Sequence, residues 1–472
     1  MSETLAAPVL AGARVLVMGL GAHGGGAATA RYCVEAGADV TITDLRDEAE
    51  LQDSIGRVAD LPVRFVLGRH DVADFRAADI VVKNPAVRRT VPLLREARRI
   101  ETDISLFLAS YRGPVLAITG TKGKSTVASA LHHIMLATHP AARLGGNITV
   151  SPLSFRAELT GNEPVVLELS SFQLGDLLLT PAGAAATSAF RLSAVTNLLP
   201  DHQDYYASMR EYAADKALIF AGQSSDAWCL LSDDDEISRG FQPPHARRVI
   251  RVTSAAVPSG RTGIAGFAGE EGVLVPPGPD PPVTIVEPAT KSRGAHQRTN
   301  LLLAGVAAYL SGVPGSVVRQ RASSFAGVPH RLELVRVENG VQFINDSAAT
   351  IAEAALAAVE AFSEPVHLIA GGSDKGVPLD AFARIASRAK SLHLLAGSAT
   401  DRIVGLLEGL RIPYAGPYRS LETAFGAAVS AARAGEVVML SPGCASFGMF
   451  RNEFDRGDQF RRLVESRAGV VG

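Results

Sequence analysis

The chain has 472 residues, of which 47% are hydrophobic and 20% charged, and its formal net charge is −2. This length predicts about three domains of ordinary size, and the near-neutral charge without a basic tail argues against a nucleic acid partner. No run reaches the roughly 18 apolar residues of a membrane span. The N-terminus lacks a secretion signal, and Cys33, Cys229 and Cys444 lack metal-ligand spacing. We therefore expect a cytoplasmic protein with reduced thiols.

A glycine-rich turn at residues 19–26 follows a strand-like run, and the acidic Asp44 ends the next strand. This order is typical of a G-x-G-x-x-G turn, whose backbone N–H groups approach a pyrophosphate. Three interpretations stay open here: NAD, the diphosphate of a nucleotide substrate, or a turn without a ligand. The segment ends near Gly113, which is short for a dinucleotide domain and favours the second interpretation. A further strand ends in a turn at residues 84–86, a usual place for a ligand-facing loop.

A second glycine-rich turn, Gly-Thr-Lys-Gly-Lys-Ser-Thr at residues 120–126, lies between an apolar run and a helical pattern. This order predicts a phosphate-binding loop. Backbone N–H groups and the helix N-terminus would bind phosphate, Lys124 would add a positive charge, and Ser125 or Thr126 would hold Mg²⁺. The strict pattern has a glycine where Ile118 stands, so a plain structural turn is the alternative.

Polar residues follow the next strands of the middle segment. Glu168 ends an apolar run, and such a residue needs a cation or another hydrogen-bond partner, such as a hydroxyl or a lysine. Asp201, His202 and Asp204 follow another strand, so they would lie near the phosphates unless they form an exposed polar loop. Lys216 falls within a predicted helix, where most lysines are exposed to solvent.

In the rest of the chain, the spacing of apolar residues is irregular at 241–298 and becomes regular beyond residue 327. Residues 241–298 are rich in proline, which predicts loops and small hairpins. Beyond residue 327, strands and helices alternate, which predicts a third parallel sheet, and residues 345–347 carry Asp and Ser suited to capping a helix. We predict an α/β protein with three domains: a Rossmann-like domain at 1–112, a mostly parallel domain of the P-loop ATPase type at 113–327, and a Rossmann-like domain at 328–472.

The ordered set of motifs resembles the Mur ligases over essentially the whole chain. The matching stretches are Gly-Thr-x-Gly-Lys-Ser-Thr at 120–126, Glu-Leu-Ser-Ser-Phe-Gln-Leu at 168–174, Asp201-His202, Lys216, His330-Arg331, Asn345-Asp346-Ser347 and Ser-Pro-x-Cys-Ala-Ser at 441–446. The family has a shortened phosphate loop, which explains Ile118. The stretches at 168–174 and 441–446 favour the glutamate-adding branch of the family.

The resemblance implies an ATP-driven amide synthesis that adds D-glutamate to UDP-N-acetylmuramoyl-L-alanine during peptidoglycan precursor synthesis. The substrate carboxylate would attack the γ-phosphate of ATP to give an acyl phosphate, which the amino group of glutamate would then displace. Because both reactants are anionic, metal ions and lysines must neutralise them. On this basis we expect two Mg²⁺ ions, and we expect the protein to be a monomer.

The resemblance also assigns roles to individual residues. The catalytic set is Lys124, Glu168, His202 and Lys216, and the metal ligands are Ser125, Thr126, Glu168, His202 and a carbamylated Lys216. The residues expected to contact ATP are Gly120, Thr121, Lys122, Gly123, Lys124, Ser125, Thr126, Asn300, Arg331 and Asp346. The resemblance assigns the first glycine turn to the UDP-linked substrate and so excludes NAD as its ligand. The residues expected to contact this substrate are Gly21, Ala22, His23, Asp44, Arg46, Asn84, Asn147 and Ser170. Thr350, Lys375 and Ser446 are the residues expected to contact glutamate.

The glutamate region departs from the family pattern. Ala348 stands where the better-known glutamate ligases carry a lysine, which leaves Lys375 to contact the side-chain carboxylate alone. An enzyme that adds L-glutamate is therefore an alternative. A folylpolyglutamate-synthase-like ligase is disfavoured, because that family begins directly with its phosphate-loop domain. A non-catalytic nucleotide-binding or sensing protein would be expected to have lost Lys124, Glu168 or His202, and all three are present.

Overall fold

A computed structural model of the chain describes residues 8–21, 24–148, 150–202, 205–244, 248–288, 295–374, 379–446 and 448–467. The chain forms two compact units, Met1–Phe325 and Ala326–Gly472. Four residues with predicted roles, Ala22, His23, Asp204 and Lys375, lie outside the described residues. None of the helices in the described ranges is long and apolar enough to cross a bilayer.

The first sheet of the first unit is parallel throughout its described strands and has the order β3-β2-β1-β4-β5. Its strands are β1 Arg14–Met18, β2 Asp39–Asp44, β3 Val63–Leu67, β4 Ile80–Lys83 and β5 Ile100–Glu101, and its helices are α1 Gly25–Glu35, α2 Glu48–Gly56, α3 Val72–Ala77 and α4 Asp103–Ser110. The central β1 and β4 are almost continuously apolar because helices cover both faces. The carboxyl ends of β1, β2 and β4 meet at one edge, which brings the glycine turn, Asp44 and Asn84 together.

The second sheet of the first unit has the order β14-β13-β12-β11-β10-β9-β6-β8-β7 in the described residues. Its strands are β6 Val115–Thr119, β7 Arg143–Gly146, β8 Val165–Glu168, β9 Phe190–Val195, β10 Trp228–Ser232, β11 Arg248–Ala256, β12 Ile264–Ala268, β13 Glu271–Val275 and β14 Val283–Val286. Its helices are α5 Lys124–Met135, α6 Ser171–Asp176, α7 Met209–Ala217, α8 Glu236–Gly240, α9 Ala295–Leu310 and α10 Gly315–Ser324. The predicted hairpins are confirmed: β12, β13 and β14 pair antiparallel and extend the otherwise parallel sheet.

The two sheets of the first unit share one buried core. Apolar side chains of β1 and β2 belong to the same cluster as those of β6, β8 and β9. Two ion pairs also join the segments: Lys83 at the end of β4 with Asp176 at the end of α6, and Arg89 with Asp215 of α7. The carboxyl edges of both sheets therefore belong to one packed body.

The second unit contains the third predicted sheet, with the order β15-β16-β20-β17-β18-β19. Its strands are β15 Glu333–Glu338, β16 Val341–Asn345, β17 Val366–Ala370, β18 Ser391–Leu395, β19 Ala415–Tyr418 and β20 Val437–Leu440, and its helices are α11 Ala352–Glu360, α12 Ala381–Arg388, α13 Ser398–Gly409, α14 Leu421–Ala431 and α15 Glu453–Ser466. All the described pairs are parallel except the β15–β16 hairpin at the edge. The alternation of strands and helices predicted this sheet correctly.

The predicted helix cap at residues 345–347 is wrong. The N-cap of α11 is Ile351, and no side chain accepts a capping hydrogen bond there. The polar side chains upstream are used elsewhere, because Asp346 accepts from the Ser441 hydroxyl at 2.6 Å and Ser347 donates to the Glu453 carbonyl at 2.7 Å. Tertiary hydrogen bonds thus replaced the local one.

Candidate active site

The phosphate loop begins where β6 ends and stops at the first residue of α5. Gly123 is the N-cap of α5, with φ 83° and ψ −6°, and contributes no side-chain cap. The first N–H groups of a helix have no intrahelical acceptor, so this glycine cap leaves them available for an anion. Asn300 lies against the same turn, since a Cβ at Gly123 would stand 2.5 Å from the Asn300 Oδ1. The structure therefore brings the predicted Asn300 to the loop.

The loop is held by the residues that follow β9. The Thr196 hydroxyl donates to the Lys122 carbonyl at 2.6 Å, and Asn197 accepts from the backbone N–H groups of Thr121 and Lys122. The sequence analysis missed Thr196 and Asn197, although their position at a neighbouring strand end was a usable signal. The Thr121 hydroxyl is itself buried and donates to the Leu199 carbonyl at 3.1 Å, so it fixes the loop from within.

Two lysines converge on the carbonyl side of the loop. Lys124 Nζ donates to the Thr121 carbonyl at 2.9 Å, and Lys216 Nζ donates to the Gly120 carbonyl at 2.7 Å. Lys216 is 1% exposed, so the alternative of a solvent-exposed lysine in mid-helix is wrong. Its Nζ also lies 4.8 Å from the centre of the Tyr212 ring. The packing of α7 thus places the Lys216 ammonium against the backbone of the phosphate loop.

Burial first and the neighbouring Lys124 second lower the pKa of Lys216 to about 7, against the opposing effect of Asp201, Glu168 and Asp215. A lysine with a pKa near 7 is partly a neutral amine at physiological pH, and a neutral amine is a nucleophile. Lys216 therefore has the chemistry that carbamylation needs.

Glu168 stands at the carboxyl end of β8, beside the loop. It is 1% exposed, and its Oε1 accepts from the Asn147 amide at 2.9 Å. Its Oε2 is buried without a hydrogen-bond partner among the described residues. Gly146 allows the close approach, since a Cβ there would lie 2.1 Å from the Glu168 carbonyl oxygen. A buried carboxylate oxygen that accepts no hydrogen bond needs another partner, and a cation would supply it.

Asp201 and His202 close over the loop from the segment after β9. The Lys122 ammonium lies 3.8 Å from an Asp201 carboxylate oxygen, and His202 Nε2 lies 4.0 Å from the same oxygen. His202 has a φ of 53° and packs edge-on against the Phe172 ring at 4.9 Å. The structure therefore places both residues beside the phosphate loop, as the strand-end argument predicted.

The donor set fits a metal ion that is shared with phosphate. Within the part of the chain that the structure describes, no cluster of three or more His, Cys, Asp or Glu could hold a metal alone. Mg²⁺ bound with a nucleotide needs only one or two protein groups, because phosphate oxygens and water supply the rest. Ser125 in the first turn of α5, the adjacent Thr126 and the unpaired Glu168 Oε2 provide such groups.

A cavity of about 700 Å³ opens at the carboxyl edge of the first sheet. Every described residue predicted to contact the UDP-linked substrate lines it: Gly21, Asp44, Arg46, Asn84, Asn147 and Ser170. It is also lined by polar residues that the sequence analysis missed: Thr29, His70, Lys83, Asp103, Ser151 and Gln173. Its volume suits a ligand of nucleotide size.

At one end of the cavity, the first glycine turn meets Asp44. The Gly21 N–H donates to Asp44 Oδ2 at 3.2 Å, and the Arg46 guanidinium donates to both carboxylate oxygens. Burial raises the pKa of Asp44, but the hydrogen bonds from Arg46 and Gly21 outweigh this effect and leave the pKa below its ordinary value. Asn84 donates to the Gly19 carbonyl at 3.2 Å and so ties the end of β4 to the turn.

At the other end, the cavity meets the phosphate-loop site through Asn147. This residue lines the cavity and also donates to Glu168. Ser170 lies beside it as the N-cap of α6, where its hydroxyl accepts from the Gln173 N–H at 3.2 Å. A ligand that fills the cavity from Asp44 to Asn147 would present its far end to Glu168.

The second unit carries the remaining predicted residues. Asp346 is buried, and it accepts from Ser441 at 2.6 Å and from the Leu332 N–H at 3.0 Å. Its burial raises the pKa of its carboxyl to about 6. The other predicted residues of this unit are the exposed Arg331, the half-buried Thr350 and the buried Ser446.

Arg456 is a buried cation that the sequence analysis missed. It is fully buried on α15 and donates to the Ser347 hydroxyl at 3.0 Å and to the Cys444 carbonyl at 3.2 Å. No local signal distinguishes it from the other arginines of α15. Its role in the structure is to hold together the two predicted segments around Ser347 and Cys444.

Comparison with known families gives three matches in chain order. Residues 13–105 match the Mur ligase MurD-like N-terminal domain, residues 118–308 the Mur ligase middle domain, and residues 330–444 the Mur ligase glutamate ligase domain. These matches confirm the predicted α/β class with three domains.

Similar proteins cover nearly the whole chain. The UDP-N-acetylmuramoylalanine–D-glutamate ligase of Roseiflexus sp. is 42% identical over 97% of this chain and 99% of its own length. The protein of the same name from Treponema pallidum is 36% identical over 97% of this chain and 98% of its own. Among solved structures, the UDP-N-acetylmuramate-alanine ligase of Thermotoga maritima has a TM-score of 0.56 at 17% identity, covering 96% of this chain and 100% of that one. That structural likeness concerns the fold alone.

Proposed function

This chain belongs to the Mur ligase family, and from that premise we propose that it is an ATP-dependent ligase that adds D-glutamate to UDP-N-acetylmuramoyl-L-alanine in peptidoglycan precursor synthesis. Relatives named for this reaction share 32% to 42% of its residues over nearly the full length. The single structural observation that carries the proposal is Asn147, which lines the substrate cavity and donates to Glu168 beside the phosphate loop.

The cavity and the phosphate loop suit the two anionic reactants of such a ligase. The glycine turn and Arg46 would hold the diphosphate at one end of the cavity, which leaves the alanyl carboxylate near Asn147 and Ser170. The loop N–H groups and Lys124 would hold the β- and γ-phosphates of ATP. This arrangement brings the carboxylate and the γ-phosphate toward each other at Glu168.

Mg²⁺ fits this site, with Ser125, Thr126 and Glu168 as its proposed protein ligands. When bound, Mg²⁺ would neutralise phosphate charge and let the carboxylate approach. The residues around it contribute in their own right: Lys124 compensates negative charge, and the hydrogen bonds from Thr196 and Asn197 keep the loop in place before ATP arrives. We propose a second Mg²⁺ near His202 and Lys216.

Carbamylation would change the charge of Lys216 from positive to negative. The neutral Nζ would attack the carbon of CO₂, an N–C bond would form, and one proton would leave to solvent, giving a carbamate anion. Burial supports this step because it lowers the pKa of Lys216 to about 7. The carbamate would then be a metal ligand close to Glu168 and His202.

The proposed reaction has two balanced steps. A carboxylate oxygen of the alanyl group attacks the γ-phosphorus, the bond to the β-phosphate oxygen breaks, and ADP leaves. The amino group of glutamate then attacks the acyl carbon, phosphate leaves, and the nitrogen loses a proton to give the amide. Arg331 and Asp346 as ATP contacts, and Thr350, Lys375 and Ser446 as glutamate contacts, are proposed on the family resemblance.

The test is phosphate release from ATP in the presence of UDP-N-acetylmuramoyl-L-alanine, with D-glutamate and L-glutamate supplied separately. We expect release with the D isomer, and none above background when the nucleotide sugar is omitted. Release only with the L isomer would reverse the stereochemical assignment. Ala348 makes this test necessary, because it replaces a lysine of the better-known glutamate ligases. Release with neither isomer would exclude the glutamate assignment and favour a nucleotide-binding protein without this activity. The cytoplasmic location and monomeric state expected from the sequence stay predictions.

A further inference from the structure

A buried ion pair lies in the wall of the substrate cavity. Lys83 ends β4 and donates to Asp176 Oδ2 at 2.5 Å and to the Asn84 carbonyl at 3.2 Å. Both charged side chains are 1% exposed. The two residues stand 93 positions apart in the chain and join the first sheet to α6. The pair therefore connects the two walls between which the cavity opens.

Stability alone is a weak explanation for this pair. Removing two charges from water costs several kcal/mol per ion, so apolar residues of similar volume are often as stable as a buried pair or more so. Asp176 Oδ1 is in addition buried without a partner among the described residues. A cavity wall built only for packing would not need these charges.

One N–H bond of the Lys83 ammonium has no hydrogen-bond acceptor among the described residues. An ammonium group has three N–H bonds, and the described residues provide hydrogen-bond acceptors for two of them, Asp176 and Asn84. Lys83 lines the cavity. Because Asp176 balances its charge, a neutral oxygen of a ligand is a better partner for the third N–H than another anion.

The position of Lys83 indicates which part of the ligand it meets. Its partner Asp176 ends α6, and the first turn of this helix, with Ser170 and Gln173, lines the cavity near Asn147. Asp103, which attracts Lys83 electrostatically, accepts from the Ser151 hydroxyl at 3.1 Å on the same side. Lys83 therefore lies at the end of β4, between the first glycine turn and α6, and its ion pair ties it to the helix whose first turn lines the Asn147 end of the cavity.

We propose that Lys83 is a substrate-binding residue that donates to a carbonyl or hydroxyl oxygen of the N-acetylmuramoyl group, and that Asp176 positions it. This inference rests on the proposed function, since it takes UDP-N-acetylmuramoyl-L-alanine as the ligand. We expect the first glycine turn and Arg46, rather than Lys83, to hold the uridine diphosphate part, so the pair would act on recognition of the sugar.

The test measures the equilibrium affinities of UDP-N-acetylmuramoyl-L-alanine and of UDP for the same full-length variants by calorimetry. Lys83→Met should weaken the nucleotide sugar about 10- to 100-fold, as expected for a lost hydrogen bond to a charged donor. The affinity for UDP should change by less than about threefold, because we expect the first glycine turn and Arg46 to hold it. Asp176→Asn should give a smaller loss with the same selectivity.

A double variant and a control separate binding from structure. Lys83→Met with Asp176→Leu removes both charges, so we expect the melting temperature to match or exceed that of the wild type, while the affinity for the nucleotide sugar stays weak. Arg14→Gln breaks the exposed pair with Asp79 on the same sheet and should leave both affinities unchanged.

Two results would overturn the inference. One is an unchanged affinity of Lys83→Met for the nucleotide sugar. The other is an equal loss for UDP and the nucleotide sugar, which would show a structural role only. A wild-type protein that binds UDP but not UDP-N-acetylmuramoyl-L-alanine would instead contradict the proposed function, and this inference with it.

Discussion

The first unit contains two glycine turns whose capping glycines share one backbone conformation but have different surroundings. Gly24 caps α1 with φ 86° and ψ −6°, and Gly123 caps α5 with φ 83° and ψ −6°. Neither cap has a side-chain hydrogen bond. Each turn follows a buried parallel strand, so each offers helix N–H groups to an anion.

The side chains around the turns differ in charge and chemistry. At the first turn, the carboxylate of Asp44 accepts a hydrogen bond from the Gly21 N–H and forms an ion pair with Arg46. At the second turn, Lys124 and Lys216 lie beside the loop, together with the unpaired oxygen of Glu168. On the proposed function, the backbone of each turn would hold phosphate, and the neighbouring side chains would determine whether that phosphate reacts.

The largest expected effect comes from removing the positive charge of the second turn. Lys124→Met should lower kcat about 10³-fold, because a preorganised donor to the transferred phosphate is lost. The KM for the nucleotide sugar should change little, since the first turn is untouched. Arg14→Gln is the control: it breaks an exposed ion pair with Asp79 outside the site, and kcat should fall by less than about threefold. Similar kcat losses in both variants would contradict the special role of Lys124.

The next effect concerns packing at the first turn. A Cβ at Gly26 would lie 2.4 Å from the carbonyl oxygens of Gly19 and Leu20, whereas a Cβ at Gly25 meets open space. Gly26→Ala should therefore destabilise the protein by about 2 to 3 kcal/mol. Gly25→Ala should change stability by less than about 1 kcal/mol. Denaturant unfolding of the two variants checks this, and equal stabilities would show that the close approach of α1 to the turn is not maintained.

The main pH effect near pH 7 should appear at the second turn. The pKa of Lys216 is lowered to about 7, so the neutral amine that reacts with CO₂ is lost as the pH falls below 7. We expect kcat, measured after equilibration with bicarbonate, to be constant above this pH and to fall toward tenfold per unit below it. Nucleotide-sugar affinity should be nearly flat from pH 8 to pH 7 and should change only toward pH 6, because burial raises the pKa of Asp176 to about 6. A kcat that stays constant from pH 8 to pH 6 would argue against the carbamate.

The smallest effects should come from substituting the two capping glycines. An alanine with positive φ costs about 1 to 2 kcal/mol, and the new Cβ would meet the movable Arg57 at Gly24 or Asn300 at Gly123. Gly24→Ala should raise the KM for the nucleotide sugar about 5- to 10-fold, and Gly123→Ala should do the same for ATP. Steady-state kinetics with each substrate varied will show whether the two effects are separate, and crossed effects would mean that the turns do not bind different ligands.

Local sequence patterns predicted the strand ends and the turns. Asp44, Asn84 and Glu168 each come at the end of a short apolar run, and parallel strands bring such ends to one edge. Asn147 follows the strand Arg143–Gly146, which has no apolar run to predict it, and only the family resemblance assigned it a role. The family resemblance then divided these residues between two ligands. The cavity contains every predicted substrate residue that the structure describes, although their contacts with a substrate stay a prediction.

Tertiary partners could not be predicted from local patterns. The burial of Lys216 depends on α7 packing beneath the phosphate loop, and nothing in the helix itself distinguishes it from an exposed lysine. Lys83 pairs with Asp176 across 93 residues, a separation at which the sequence gives no pairing signal. The wrong cap at residues 345–347 has the same cause, since Ser441 and Glu453 took the hydrogen bonds that a helix would have used.

Transfer of an oxygen atom from the substrate carboxylate to phosphate is the most direct test of the acyl phosphate route. The chain's central feature is that Asn147 joins the substrate cavity to Glu168 and the phosphate loop, so the substrate carboxylate should attack the γ-phosphate. UDP-N-acetylmuramoyl-L-alanine labelled with ¹⁸O in the alanyl carboxylate is turned over with ATP and D-glutamate, and the released phosphate is analysed by mass spectrometry. We predict one ¹⁸O atom per phosphate, because the acyl–oxygen bond breaks when glutamate attacks. Unlabelled phosphate alongside amide formation would contradict the acyl phosphate route.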